Sequence, residues 1–326
     1  MKRAWTAAAA LLVACSASPS GFGNESDSGK SDGAFVPTGD GGFVPTGDGG
    51  VTGGDAGGPA VIYAHTDTEL YSLDPGTQKV TDIGPFSAGS QTPVITDLAV
   101  DGSGEVWVNS ESAIYRAAIP QSPGKVTLTL VSPITLGSGQ KFYALGFAPA
   151  NVLGSNETLV AGDNAGVLYA IETNGTTTEL GSFGTDSKNN PYELSGDVVF
   201  YEQNGSARGL ATIRSCPSGS CSTTNDLLAE IDVPAMTAAY QTKTPAATLR
   251  KQLIGTGTTY GRLFGVGAWD SNVYAFSRSA SSEPAQLIQI GASGVGKSLK
   301  TFSSITAGWS GAGVTTKAAI TVLPPS

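Results

Sequence analysis

The chain is short of the side chains from which most catalytic sites are built. Its 326 residues include one histidine, His65, three cysteines and two methionines, and only 14% of the residues are charged. The lone imidazole has Asp67 as its nearest carboxylate, two positions along a strand-like stretch. Same-face neighbours on one strand cannot hold an imidazole from behind while a serine approaches from the front. No H-E-x-x-H or D-x-D-x-D-G spacing occurs. Three cysteines cannot form the two Cys or Cys/His pairs of a structural zinc site. No basic stretch interleaves with aromatics, and the formal net charge is −9, so nucleic acid is not an expected partner. Neither a catalytic residue nor a metal ligand set is predicted.

What is present begins at the N-terminus, MKRAWTAAAALLVAC. Lys2 and Arg3 precede the apolar run Ala4–Ala14. That run falls short of the roughly 20 residues that span a bilayer and has the proportions of a secretory signal over residues 1–14. Leu12-Val13-Ala14-Cys15 resembles the bacterial lipobox. The resemblance implies cleavage after Ala14, lipidation of Cys15 and, with Ser16 rather than Asp next, an outer-membrane address facing the periplasm or the cell surface. A triacylated cysteine would supply the several chains that stable anchoring needs. Cys216 and Cys221, in CPSGSC, then remain as a pair, expected as a disulfide clipping a hairpin loop in an oxidising compartment.

Residues 15–59 are rich in Gly, Ser, Asp, Pro and Thr and carry the tandem octamer FVPTGDGG at Phe35–Gly42 and Phe43–Gly50. So few bulky side chains cannot offset the entropy of ordering. The segment reads as a tether, roughly 35–40 Å in root-mean-square span as a coil.

From residue 60 to 326 one pattern recurs: an apolar residue, Tyr, any residue, an apolar residue. It appears as LYSL (70–73), IYRAAI (114–119), LYAI (168–171) and VYAF (273–276), with LLAEI (227–231) as a degenerate copy. Strand-like segments flank the copies, and Asp-Gly and Asn-Gly turns separate them. Repeats of about fifty residues built of period-two strands predict an all-β domain, a β-propeller of radial four-stranded blades. Counting motifs gives five blades and dividing by length gives six; five is expected, with some long loops, the longest around Cys216–Thr224. The first unit lacks a strand and the C-terminal segment has one to spare, so that strand is expected to close the ring and cover an edge. An irregular β-sandwich is the alternative. In this pattern residues 61–320 resemble the exported propeller-type lipoproteins of Gram-negative bacteria, a likeness that implies a fold and an address but no reaction.

Gly291–Ser298, GASGVGKS, matches the P-loop string G-x-x-x-x-G-K-[ST]. A P-loop needs a helix after the glycine-rich turn and a later acidic residue for Mg²⁺. After Ser298 the chain is rich in Gly and β-branched residues without helical period, and no Asp or Glu follows Glu283. A loop between blades is expected, without ATP or GTP.

Asp97, Asp101, Asp163, Asp197 and Asp270 fall near predicted strand ends, where a funnel could gather them around Ca²⁺; turn chemistry is the simpler role. Trp107, Trp269 and Trp309 lie in or beside strands. Trp269 and Trp309 with Asp270 would form a carbohydrate platform if exposed at a funnel mouth. The sequence therefore predicts a lipid-anchored envelope protein that binds a protein or a glycan without catalysis. An exported, calcium-assisted hydrolase or lyase is the alternative, and the oligomeric state is not indicated.

Overall fold

The computed structural model describes residues 61–217, 221, 225–269, 272–278, 284–306 and 308–318. Cys15, the signal-like segment and the tether lie outside the described residues. The described strands form five antiparallel four-stranded blades. Blade 2 runs outward through β4 (Ile95–Val100), β5 (Val106–Ser110), β6 (Ala113–Ala118) and β7 (Val126–Pro133). Blade 3 is β8 (Phe142–Ala148), β9 (Thr158–Asp163), β10 (Val167–Ile171) and β11 (Thr177–Ser182). Blade 4 is β12 (Tyr192–Gln203), β13 (Ser206–Ser215), β14 (Leu227–Ile231) and β15 (Arg250–Ile254). Blade 5 is β16 (Leu263–Trp269), β17 (Asn272–Ser277), β18 (Ala285–Ile290) and β19 (Gly296–Phe302).

Blade 1 is assembled from both ends of the domain. β1 (Ile62–His65), β2 (Glu69–Asp74) and β3 (Lys79–Ser87) are completed on the inside by β20 (Gly311–Gly313), which pairs with β1 through Tyr63–Gly313, Ala64–Ala312 and His65–Gly311. The inner strands β4, β8, β12, β16 and β20 pack side by side, and β20 returns to β4. The ring is closed: the protein is a five-bladed β-propeller. Its outer rim has one further link, a short parallel pairing of β3 with β7 at Phe86–Val126 and Ser87–Thr127.

Apolar side chains fill the layers between blades. Leu70, Ile95, Leu98 and Val108 pack between blades 1 and 2; Trp107, Phe142, Phe147 and Leu159 pack between blades 2 and 3. The sequence repeat falls on the third strand in blades 1 to 4. In blade 5 it does not: VYAF is the second strand, β17, and the third is β18, AQLIQI. Both stretches are short, mostly buried apolar strands, and a tyrosine at one position does not distinguish neighbouring strands of one blade.

Two loops also differ from expectation. Gly291–Ser298 lies within blade 5 and not between blades. Gly294 N–H closes a turn on the Gly291 carbonyl (2.9 Å), and Gly296, Lys297 and Ser298 open strand β19. The longest connection among the described residues is not the cysteine loop but the one between β14 and β15, which carries helix α1 (Val233–Thr242). Its start is legible in Asp232-Val-Pro: the Asp232 carboxylate accepts from Ala235 N–H (3.0 Å), and Pro234 occupies the first turn, where no intrahelical donor is required. Lys243 ends the helix in the left-handed conformation, φ 54°.

The Cys216–Cys221 disulfide is formed, with a Cα–Cα distance of 4.5 Å, in the connection from β13 to β14. Closing so short a loop is worth about 2 kcal/mol in the chain-entropy treatment. The double substitution Cys216→Ser, Cys221→Ser should therefore lower unfolding stability by about 2 kcal/mol, read as a shift in urea midpoint. An unchanged midpoint would mean that the loop contributes nothing to the global transition.

Candidate functional site

The propeller axis is occupied by the chain's own carboxyl groups. Near its start, each of β4, β8 and β16 carries an extra residue relative to its neighbour strand, at Thr96, Tyr143 and Phe264, and β12 shifts register between Leu194 and Val198. Such bulges re-aim the backbone. The N–H groups just beyond them leave the strand ladder and meet two aspartates. Asp97 accepts from Leu98 N–H (2.8 Å) and from Leu145 N–H (2.6 Å) of the next blade. Asp197 accepts from Val198 N–H (2.6 Å), Val266 N–H (2.8 Å) and Ala312 N–H. All five inner strands thus donate to this pair, and the two carboxyl groups hydrogen-bond each other.

Asp97, Asp197 and His65 have no exposed surface. Burial raises both aspartates well above the ordinary carboxylate range, and for Asp97 the neighbouring Asp197 adds to it. Two carboxylates in hydrogen-bond contact cannot both be ionised, so the pair holds a proton at pH values where a free aspartate has lost its own. His65 Nδ1–H donates to the Thr66 carbonyl (2.7 Å), and burial pulls the imidazole down to about 4. Its Nε2 lies 3.8 Å from Asp97 Oδ1; with a neutral ring that contact is no ion pair at pH 7.

These groups oppose each other in the pH dependence of stability. The aspartate pair, raised on folding, stabilises fully below the unfolded value near 3.9, and that contribution is lost as pH rises through the folded value. His65, depressed to about 4 from 6.5, costs stability as pH falls from 6.5 towards 4. Over the range in which both titrate, the two slopes oppose each other. Asp97→Asn removes the shared proton and leaves His65. Its stability relative to the parent should climb with pH from about pH 4 until the folded pair gives up its proton, with a slope of at most about 1.4 kcal/mol per pH unit, measured by urea melts across pH 4–8. Parallel curves for the two proteins would exclude a shared proton.

β20 threads past this pair because Gly311 has no side chain: a Cβ there would overlap Asp97 Oδ1 and His65 Nε2. Gly311→Ala is expected to cost about 1–3 kcal/mol by overpacking. An unchanged thermal midpoint would show that β20 is not seated on the axis. Beside it, Arg278 of blade 5 holds Asp67 through two bonds of 2.8 and 2.9 Å, and Ser310 donates to the same carboxylate. The Arg278 guanidinium keeps Asp67 below the usual carboxylate range.

The axis is therefore not a cation cage, since its carboxyl oxygens face N–H donors. Concave space lies elsewhere, in a groove of about 520 Å³ between blades 2 and 3 that also reaches Glu202, Thr316 and Lys317. Trp107, Ile114, Phe147, Leu159 and Ile171 form its floor. Trp107 Nε1–H donates to Asp101 (3.2 Å), Phe147 meets the Trp107 ring at 5.6 Å in a T-shaped contact, and the Arg116 guanidinium lies 4.7 Å over that ring. On the rim, Glu157 accepts from Gly102 N–H (2.7 Å) and from the Thr316 hydroxyl, and Glu172 accepts from the Tyr240 hydroxyl.

No protein-family model and no curated protein matches the chain. Among solved structures, it is similar to a protein of unknown function from Bacteroides caccae, at 9% identity and TM-score 0.38 over 78% of this chain and 98% of that one. It is also similar to the Dos1 propeller, at 11% identity and TM-score 0.35 over 72% of this chain and 62% of that one. The computationally designed Ika8 protein follows, at 14% identity and TM-score 0.30 over 78% and 62%. Likenesses this distant carry no argument, and the propeller rests on the strand pairing itself.

Of the five aspartates expected near a funnel, the fold brings together Asp97 and Asp197. Asp101 and Asp163 serve turns: Asp101 accepts from Ser103 and Glu105 N–H, Asp163 from Ala165 and Val167 N–H. Asp270 lies outside the described residues. The carbohydrate platform does not form as expected. Trp309 has no exposed surface, and Tyr71, Phe276 and Phe302 surround it in T-shaped contacts at 5.2–5.4 Å. Trp269, at the far end of inner strand β16, packs partly buried against the same core. A large apolar ring next to the closing strand is worth more inside than out. The groove around Trp107 was not legible, because its residues come from blades 2 and 3, Glu202 of blade 4 and the C-terminal segment.

Proposed function

We propose that the chain is a non-enzymatic binding module of the cell envelope, anchored in the outer membrane through a lipid on Cys15, whose propeller receives a protein or a glycan. One observation carries this reading. The carboxyl groups that meet at the axis are engaged by inner-strand N–H donors, and an amphipathic groove opens between blades 2 and 3. Anchoring is tested by mass spectrometry of the N-terminal peptide and by Cys15→Ser, which should release the protein from membranes.

Binding is tested by thermal shift of the full chain with EDTA, Ca²⁺, Mg²⁺ with ATP, envelope glycans and fractionated envelope proteins. A ligand at 100 times its dissociation constant adds about 2.7 kcal/mol. A rise with a glycan or a protein fraction, without turnover, supports the reading. A Ca²⁺-dependent rise reversed by EDTA, together with cleavage of a glycan, would replace it with the hydrolase or lyase alternative. A rise with ATP would return Gly291–Ser298 to consideration.

A further inference from the structure

The groove between blades 2 and 3 has the lining of a site for one kind of partner. Its volume, about 520 Å³, falls within the range of about 300–1,000 Å³ common to ligand clefts. The floor is apolar: Trp107, Ile114, Phe147, Leu159 and Ile171 underlie it, and the half-buried Val131 adds apolar surface at its side. Such a floor is stabilised by an apolar group that fits it. A sugar ring would need an open aromatic face, and this floor offers none. Trp107 has Arg116 over its face at 4.7 Å and Phe147 against it at 5.6 Å.

The rim decides the charge. Asp101, Glu157, Glu172 and Glu202 face two cations, Arg116 and Lys317. Arg116 is already engaged by Trp107 and by Glu105 at 3.6 Å. Asp101 and Glu157 are fixed by the bonds described above. Glu202, exposed at the end of β12, makes no side-chain hydrogen bond or ion pair among the described residues, and Glu172 is bonded through one oxygen only. The two carboxylates least committed to the fold thus lie on the rim of a groove that carries more acid than base, in a chain of formal charge −9.

We propose that this groove docks an extended peptide segment of a partner protein, with an apolar side chain on the floor and a Lys or Arg beside it meeting Glu172 and Glu202. The inference rests on the binding-module reading and names its partner chemistry.

Isothermal titration of the full chain in non-denaturing detergent tests it with three probes: Ac-Lys-Leu-Lys-NH₂, Ac-Glu-Leu-Glu-NH₂ and N-acetylglucosamine trimer. The basic peptide should bind at least about tenfold more tightly than the acidic one, the factor of one rim ion pair freed of competing water. Ser155→Trp, which fills the groove from its exposed loop, and Glu202→Lys should each weaken the basic peptide severalfold with unchanged thermal midpoints. Equal affinity for both peptides, or a preference that survives both variants, overturns the proposal while leaving a binding module that works from another surface. Trimer binding abolished by Ser155→Trp would make the groove a glycan site and equally overturn it. No binding by any probe also overturns it, and the glycan and protein panel then judges the wider reading separately.

Discussion

Asp197→Ala should remove about 4 kcal/mol of unfolding stability, the largest loss expected from any single polar residue of the ring. The truncation strands three N–H groups, from Val198, Val266 and Ala312. Each buried donor left without an acceptor costs about 1–3 kcal/mol. Part of this is offset, because the burial penalty on the carboxyl group disappears with it. Asp97→Ala strands two donors, from Leu98 and Leu145, and should cost less, about 3 kcal/mol. In a domain of this size, 4 kcal/mol corresponds to roughly 8–16 °C in melting temperature. The ordering is the sensitive result. Should Asp97→Ala prove the more damaging, or both cost under about 1 kcal/mol, the carboxyl pair would not be what satisfies the inner strands. If Asp197→Ala does not accumulate, Asp197→Asn serves in its place, since it keeps an acceptor and should lose about half as much.

Trp309→Ala should cost a similar amount, about 3–5 kcal/mol, the usual range for removing a large aromatic from a packed core. The indole lies just ahead of β20 and contacts Tyr71 of blade 1 together with Phe276 and Phe302 of blade 5. It therefore cements the seam where the two ends of the domain join. Trp309→Phe separates packing from polarity. Trp309 Nε1–H meets no acceptor among the described residues, so phenylalanine forfeits ring volume but no hydrogen bond, and should cost about 1–2 kcal/mol. Limited proteolysis adds a readout specific to the seam. In Trp309→Ala, cleavage after Lys317 or Arg278 should appear before cleavage inside blades 2 to 4. Uniform acceleration at all sites would mean that the seam is no weaker than the rest of the ring.

The blade count was legible because it rests on a local property. The third strands of blades 1 to 4 each carry one short apolar-centred string, LYSL, IYRAAI, LYAI and LLAEI, that can be counted along the chain. Blade 5 was misregistered by one strand, because VYAF satisfies the same local rule from the second position. Asp97 and Asp197 were visible as strand-end carboxylates, but not as partners. One hundred residues separate them, and what unites them is the bulge at the start of the inner strands, which has no residue signature: the extra residues are Thr96, Tyr143 and Phe264. Trp309 was misplaced for a related reason. Composition makes an aromatic near a strand end equally suited to a mouth or a core, and only the position of β20 between blades 1 and 5 decides.

By itself, then, the sequence determined the all-β architecture, the number of repeats, the strand lent by the C-terminal end and the Cys216–Cys221 bridge. Each follows from interactions within a few residues or from an unpaired edge that must be covered. The tertiary structure alone decided that Asp97 and Asp197 meet buried at the axis, that Trp309 is core, and that a groove opens between blades 2 and 3. Those outcomes depend on which inner-strand N–H groups converge after the ring closes, and convergence of donors from five separate blades is a property of the closed ring rather than of any one segment.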